Sequence, residues 1–179
     1  MQRRQFLVLS SQVALLLGGA GRAFGTLPAC EWCGGEDAPP NPGTTATLFP
    51  PDEPGERLLL HGTVYAADGR TPSPGVLLYA YNTNAAGIYP LRDDATGNAR
   101  RHGYLRGWVL SGADGGYRFH TIRPAAYPSR AGPAHIHMTA TAPGGAENWL
   151  DNVLFEGDPL ITWKFWNAEA GAAARRSSA

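Results

Sequence analysis

The sequence predicts an all-β chain folded as a two-sheet sandwich with few or no helices, and three observations carry that expectation. Short runs rich in β-branched, aromatic and leucine residues recur, as in "LLLHGTVYAADG", "GVLLYAYNT" and "HIHMTATA". Glycine and proline fall singly between these runs as turn punctuation. No long stretch repeats its apolar residues at the helical period. With 179 residues, 43% of them hydrophobic, the chain is long enough for one core and short for two.

Residues 1–25, "MQRRQFLVLSSQVALLLGGAGRAFG", pair Arg3 with Arg4 ahead of a short apolar stretch and finish on small residues, the pattern of a twin-arginine-type signal peptide. The apolar stretch falls short of the roughly 20 residues that a membrane span needs. The expectation is therefore export, to a periplasm or to the medium, with no membrane span. Cys30 and Cys33 follow in "PACEWCGG" and are the two cysteines of the chain. In an oxidising compartment a local disulfide is the first reading, and lipidation of Cys30 within "LPAC" is the second.

Residues 26–57 are expected to form an extended Cys- and Pro-containing arm, because "EDAPPNPGTTATLFPPDEPGE" keeps no apolar period. The sandwich itself is expected over residues 58–167. "LLLHGTVYAADG" and "GVLLYAYNT" are separated by the turn signal "DGRTPSPG". "LRGWVLSGADGGYRFHTI" reads as a hairpin around Asp114-Gly115-Gly116, and "HIHMTATA" and "NVLFEG" complete the strands. Residues 168–179, "AEAGAAARRSSA", have nothing to pack against and read as a disordered tail.

Fifteen basic residues balance fifteen acidic ones. Without residues 1–25, which hold Arg3, Arg4 and Arg22 and no acid, 12 basic residues face 15 acidic, a net charge of −3. No basic cluster interleaves with aromatics, so nucleic acid is not an expected partner. Composition leaves homo-oligomerisation open.

The chemistry is concentrated in "PSRAGPAHIHMTA". His135 and His137 occupy alternate positions of one strand run, so both project to one face and Ile136 to the other. Such a pair can bind one ion, or can be two partly buried imidazoles bonded to loop carbonyls. A metal needs further donors. Glu147, Asp151 and Asp158 would suit a histidine-carboxylate ferrous site. Tyr89, at the end of the glycine turn "NTNAAGIYP", and Tyr127, on "TIRPAAYP", are the other candidates. Tyr65, Tyr79, Tyr81 and Tyr117 fall inside strand patterns and read as packing residues.

From about Leu60 to Thr162 the chain resembles the catalytic domain of the intradiol ring-cleavage dioxygenases, the family of catechol and protocatechuate dioxygenases. The resemblance rests on four blocks in order: "GTVYAADGRTPSPGVLLYAYNTNAAGIYP", "LRGWVLSGADGGYRFHTIRPAAYP", "AHIH" and "LFEGDPL". It implies one Fe(III) per chain, held by Tyr89, Tyr127, His135 and His137. It further implies that Tyr127 gives way to a catechol-type substrate, which reacts with O2 and is cut between its two hydroxyls to a cis,cis-muconate-type diacid without an external reductant. A trivalent ion at the oxygen favours phenolate over a phenol whose ordinary pKa is about 10.

Two positions depart from the family pattern. The arginine that the family places near the histidines to stabilise charge on the activated ring falls here on Arg130, three residues after Tyr127, with an apparent two-residue insertion behind it. Asn152 stands where several members have a glutamine, so its contact is expected to pass through water; with Arg130 it is assigned to substrate binding. The alternative to an enzyme is a non-catalytic aromatic- or carbohydrate-binding sandwich with a residual metal site.

Overall fold

The computed structural model describes residues 32–167. The expected leader (1–25), Cys30 and the expected tail (168–179) lie outside the described residues. Among these residues the chain runs through a single 3-10 turn at Gly35–Asp37, then β1 (Thr45–Thr47), β2 (Arg57–Thr63), β3 (Leu77–Asn82), the six-residue helix α1 (Gly97–His102), β4 (Arg106–Leu110), β5 (Gly116–Ile122), β6 (His135–Thr141) and β7 (Glu147–Leu154). A last helical turn covers residues 163–167. No helix of the described residues is long and apolar enough to cross a membrane.

The strands form two sheets, ordered β1-β5-β2 and β4-β3-β6-β7, as the periodicity predicts. Between them lie Leu60, Phe119, Leu78, Ala80, Val109, Ile136, Met138 and Phe155, all buried. Each large apolar side chain removed from water contributes about 1.5–3 kcal/mol, so this inter-sheet layer is the main source of stability. Asn82 adds a polar tie across it, accepting a hydrogen bond from the Thr121 hydroxyl at 2.7 Å.

Two sequence expectations change. "LRGWVLSGADGGYRFHTI" is not a hairpin: β4 and β5 belong to different sheets, and residues 111–115 carry the chain from one layer to the other. Gly115, at φ 72°, donates its amide to Gly112 and accepts from Val64; a Cβ there would stand 2.4 Å from the Val64 oxygen. The turn chemistry is tight, as for a hairpin, but its exit is fixed by β2. The segment expected as an arm also enters the fold before residue 58. β1 pairs parallel with β5, and Leu48 is buried in the core.

The outer face of the four-stranded sheet is covered as well, which is why β3 is buried on both sides. Tyr79 and Tyr81 point away from the inter-sheet core and sit opposite Thr139 and His137 on β6. Above them lie His102 from α1 and the Gly34-Gly35 segment; a Cβ on Gly34 would come 2.3 Å from the Tyr79 ring. Glu147 fastens this cover, accepting the Gly34 and Gly35 amides at 3.0 Å each as well as the Thr139 hydroxyl. The expected surface arm is thus the lid of a second, aromatic layer.

Candidate metal centre

His135 and His137 lie on that covered outer face, at the start of β6. Their Nε2 atoms are 3.0 Å apart. The His135 Nδ1 lies 2.8 Å from the Pro133 carbonyl, and the His137 Nδ1 lies 2.8 Å from Asn152 Oδ1. Carbonyl oxygens only accept, so both Nδ1 atoms carry the proton, and a neutral imidazole in this tautomer presents its lone pair at Nε2. Burial, and then the neighbouring His135, push the pKa of His137 down to about 3, which keeps its imidazole neutral. Two such lone pairs converging at 3.0 Å can hold one positive centre between them.

Two phenols complete the group. Tyr127 Oη is 3.3 Å from each Nε2, and Tyr89 Oη is 2.7 Å from Tyr127 Oη. Burial, and then the hydrogen bond with Tyr127, raise the Tyr89 pKa well above the usual phenol value, so a cation is needed to hold it as phenolate. The available donors are thus two imidazole nitrogens and two oxygens that can become anionic. This set fits a ferric ion: anionic oxygen stabilises the trivalent state, and four donors leave room for substrate.

Local structure sets these positions. Tyr89 follows a loop in which Asn84 Oδ1 accepts from the amides of Ala86 and Ile88, and the Asn84 amide donates to the Ile88 carbonyl. The Tyr127 segment is stitched to that loop: Ala125 donates to the Asn84 carbonyl and accepts from the Thr83 hydroxyl. Gly87, at φ 75°, lets the two backbones meet, since a Cβ there would lie 2.1 Å from the Ala126 oxygen. Asp158 holds the entry to β6 by accepting the Ala134 amide at 2.9 Å.

Asn152 reaches His137 through a β-bulge. The β6–β7 register passes from Ile136↔Val153 to Met138↔Leu150, so His137 alone faces Asp151 and Asn152. The extra residue swings the amide to the imidazole. The contact expected to pass through water is therefore direct, and the Asn152 carbonyl stands behind His137, on the side of the ring away from the donor cluster. Arg130 follows Tyr127 in a tight turn, its amide donating to the Tyr127 carbonyl at 2.7 Å; its side chain is exposed and its φ is 53°. Cys33 is disulfide-bonded.

Among the described residues no three of His, Cys, Asp and Glu come together, which removes the histidine-carboxylate site. Glu147 is committed to Gly34, Gly35 and Thr139, and Asp158 to Ala134 and Leu160. Tyr81, expected from the sequence as a packing residue, stacks on His137 at 4.6 Å and on His102 at 3.9 Å, and Trp149, which the sequence did not single out, lies 5.1 Å from His137. Alternation put Tyr81 on a strand face but could not say that β6 would be its neighbour.

A family model described as Dioxygenase matches residues 35–176. Catechol 1,2-dioxygenase 1 of Acinetobacter lwoffii is 35% identical over 127 residues, covering 62% of this chain and 40% of that protein. Chlorocatechol 1,2-dioxygenase of Rhodococcus opacus is 33% identical over 144 residues, covering 70% and 54%. The chain thus spans about half the length of these curated relatives or less. Among solved structures, the dioxygenase domain of a dioxygenase carbohydrate-binding protein fusion from Streptomyces sp. SirexAA-E superposes with a TM-score of 0.53 at 32% identity, covering 71% of this chain and 77% of that one.

Proposed function

This chain belongs to the intradiol ring-cleavage dioxygenase family, and we propose that it is an exported ferric enzyme that opens a catechol-type ring between its hydroxyls. The observation that carries the reading is the convergence of Tyr89, Tyr127, His135 and His137, with both Nε2 lone pairs facing inward. These four residues would hold one Fe(III) per chain. When bound, ferric iron would accept electron density from a chelated catecholate and so make a ring carbon reactive towards O2.

The chain's own residues do the rest. Tyr127 lies between β5 and β6, and its Oη is within 3.3 Å of both Nε2 atoms and 2.7 Å from Tyr89 Oη; its phenolate is the donor assigned to leave and to take a catechol proton at Oη. Tyr89, pinned by the Asn84 loop, and His135 and His137, on β6, stay in place. Arg130, beside Tyr127, supplies the cation that offsets negative charge on the activated ring. Both oxygen atoms of O2 enter the ring-opened diacid, so the electrons balance without a reductant.

The experiment is a visible spectrum and oxygen-uptake measurement on iron-loaded protein. Phenolate ligation gives a broad charge-transfer band that shifts with catechol and weakens in Tyr89→Phe. Turnover consumes one O2 per catechol and yields the muconate-type diacid. A spectral shift without oxygen uptake across substituted catechols would establish the aromatic-binding module instead. Export is tested separately: Arg3→Lys with Arg4→Lys should leave precursor in the cytoplasm, and unchanged export would mean another route.

A further inference from the structure

The short helix α1 ends on a buried imidazole that is not among the four donors. His102 is 3% exposed, whereas Arg100 and Arg101 just before it are exposed. Gly103, at φ 69°, closes the helix; a Cβ there would lie 2.7 Å from the Pro90 carbonyl oxygen. The Tyr104 amide donates to that same oxygen at 2.9 Å. The end of α1 is thereby docked on the residue that follows Tyr89.

Two tyrosines of β3 hold the His102 ring. Its Nδ1 is 2.8 Å from the Oη of Tyr79, whose side chain is fully buried. Its face lies 3.9 Å from the Tyr81 ring at an interplanar angle of 12°. His137 stacks on Tyr81 as well, at 4.6 Å and 29°, and the Tyr89 ring lies 5.8 Å from it. Two imidazoles at these distances would collide on one face of a phenol, so the Tyr81 ring stands between them. The strand ladder keeps it there, since Tyr81 is paired with Arg106 of β4 on one side and His137 of β6 on the other. Stacking by itself lets a ring slide and turn; the bond to Tyr79 sets the angle of His102.

We propose that His102 is a positioning residue for the metal centre, holding the Tyr81 ring against His137 and Tyr89 so that their donor atoms converge. The inference rests on the reading of Tyr89, Tyr127, His135 and His137 as the donors. Asn152 fixes His137 at one atom, Nδ1, and a single hydrogen bond leaves the ring free to rotate about it. The Tyr81 face, backed by His102, opposes that rotation. Donors oriented before an ion arrives lose less freedom when they bind it. A leucine at position 102 would fill space but would offer neither a flat face to Tyr81 nor a partner to Tyr79.

The test compares His102→Leu with His102→Asn, which keeps a planar group and an acceptor close to the place of Nδ1. Val109→Ala, which opens a cavity in the inter-sheet core, controls for general loosening. Each protein is read for iron affinity by competition with a chelator, for the energy of the charge-transfer band, and for the ring-proton resonances of His137 without iron. His102→Leu should weaken iron binding about tenfold, move the band and shift the His137 resonances as the Tyr81 ring current changes. His102→Asn should recover most of the affinity, and Val109→Ala should leave all three readouts near wild type. Iron affinity and band unchanged in folded His102→Leu would overturn the proposal, as would a loss no greater than that in Val109→Ala. Should His102→Leu fail to fold, Tyr79→Phe, which removes the hydroxyl bonded to Nδ1, is read in the same way and unchanged values overturn the proposal equally. A wild type that takes up no iron would sink the ferric reading by itself, and the His137 resonances then decide whether His102 orients that ring.

Discussion

At the scale of single residues, Asn152 and Arg130 separate positioning from chemistry. Asn152 Oδ1 fixes the proton on His137 Nδ1. Asn152→Leu should therefore weaken iron binding by about 10–100-fold, read by competition with a chelator, while Asn152→Asp, which keeps the acceptor, should restore it. A raised KM for catechol with unchanged iron affinity would instead make Asn152 a substrate contact. Arg130 sits at φ 53°, where a side chain is costly and glycine is not. Arg130→Gly should hold or raise thermal stability yet lower kcat/KM by about 100-fold if its charge serves the ring. An unchanged kcat/KM would remove Arg130 from the reaction.

At the scale of elements, the centre depends on two loops and one irregular strand pair. Gly87 lets the Tyr89 loop touch the backbone that leads to Tyr127. Gly87→Ala should force them apart, lowering the iron content per chain and costing about 1–3 kcal/mol in chemical denaturation. Gly144→Ala is the control: its φ is 71°, but nothing lies within 4 Å of the added Cβ, so it pays only the backbone penalty. Equal effects at both positions would show that conformational strain, and not the close approach, dominates. The β6–β7 bulge belongs to this scale too, because it brings an asparagine to His137 where a regular ladder would set Asn152 elsewhere.

At the scale of the whole molecule, one sandwich supports both layers. Phe119 is 0% exposed between the sheets, and Phe119→Ala should cost about 3–5 kcal/mol. Because β6 donates Ile136 to that core and His137 to the outer layer, loss of sheet signal and loss of the charge-transfer band should coincide in one unfolding transition. Separated transitions would show that the aromatic layer melts by itself. The cover over this layer is local to the strand ends, where Glu147 ties Gly34 and Gly35 to β7.

The sequence by itself determined the class of fold, because alternation and turn residues are local properties that survive in any neighbourhood. It also brought forward the proposed donor set: His135 and His137 share a strand face by geometry alone, the resemblance implies Tyr89 and Tyr127, and the convergence of the four side chains supports that reading. It determined the wrong partner for β4 and left the arm outside the fold, since a glycine turn specifies a reversal but not which sheet receives the next strand. Only the tertiary structure decided that β1 and Leu48 join the sandwich, that Tyr81 backs His137, and that Asn152 reaches the imidazole directly. These are contacts between segments far apart in the chain, set by register and by one bulge. A one-residue change of register exchanges the two faces of a strand, and nothing in the local sequence of β7 reveals where that change falls.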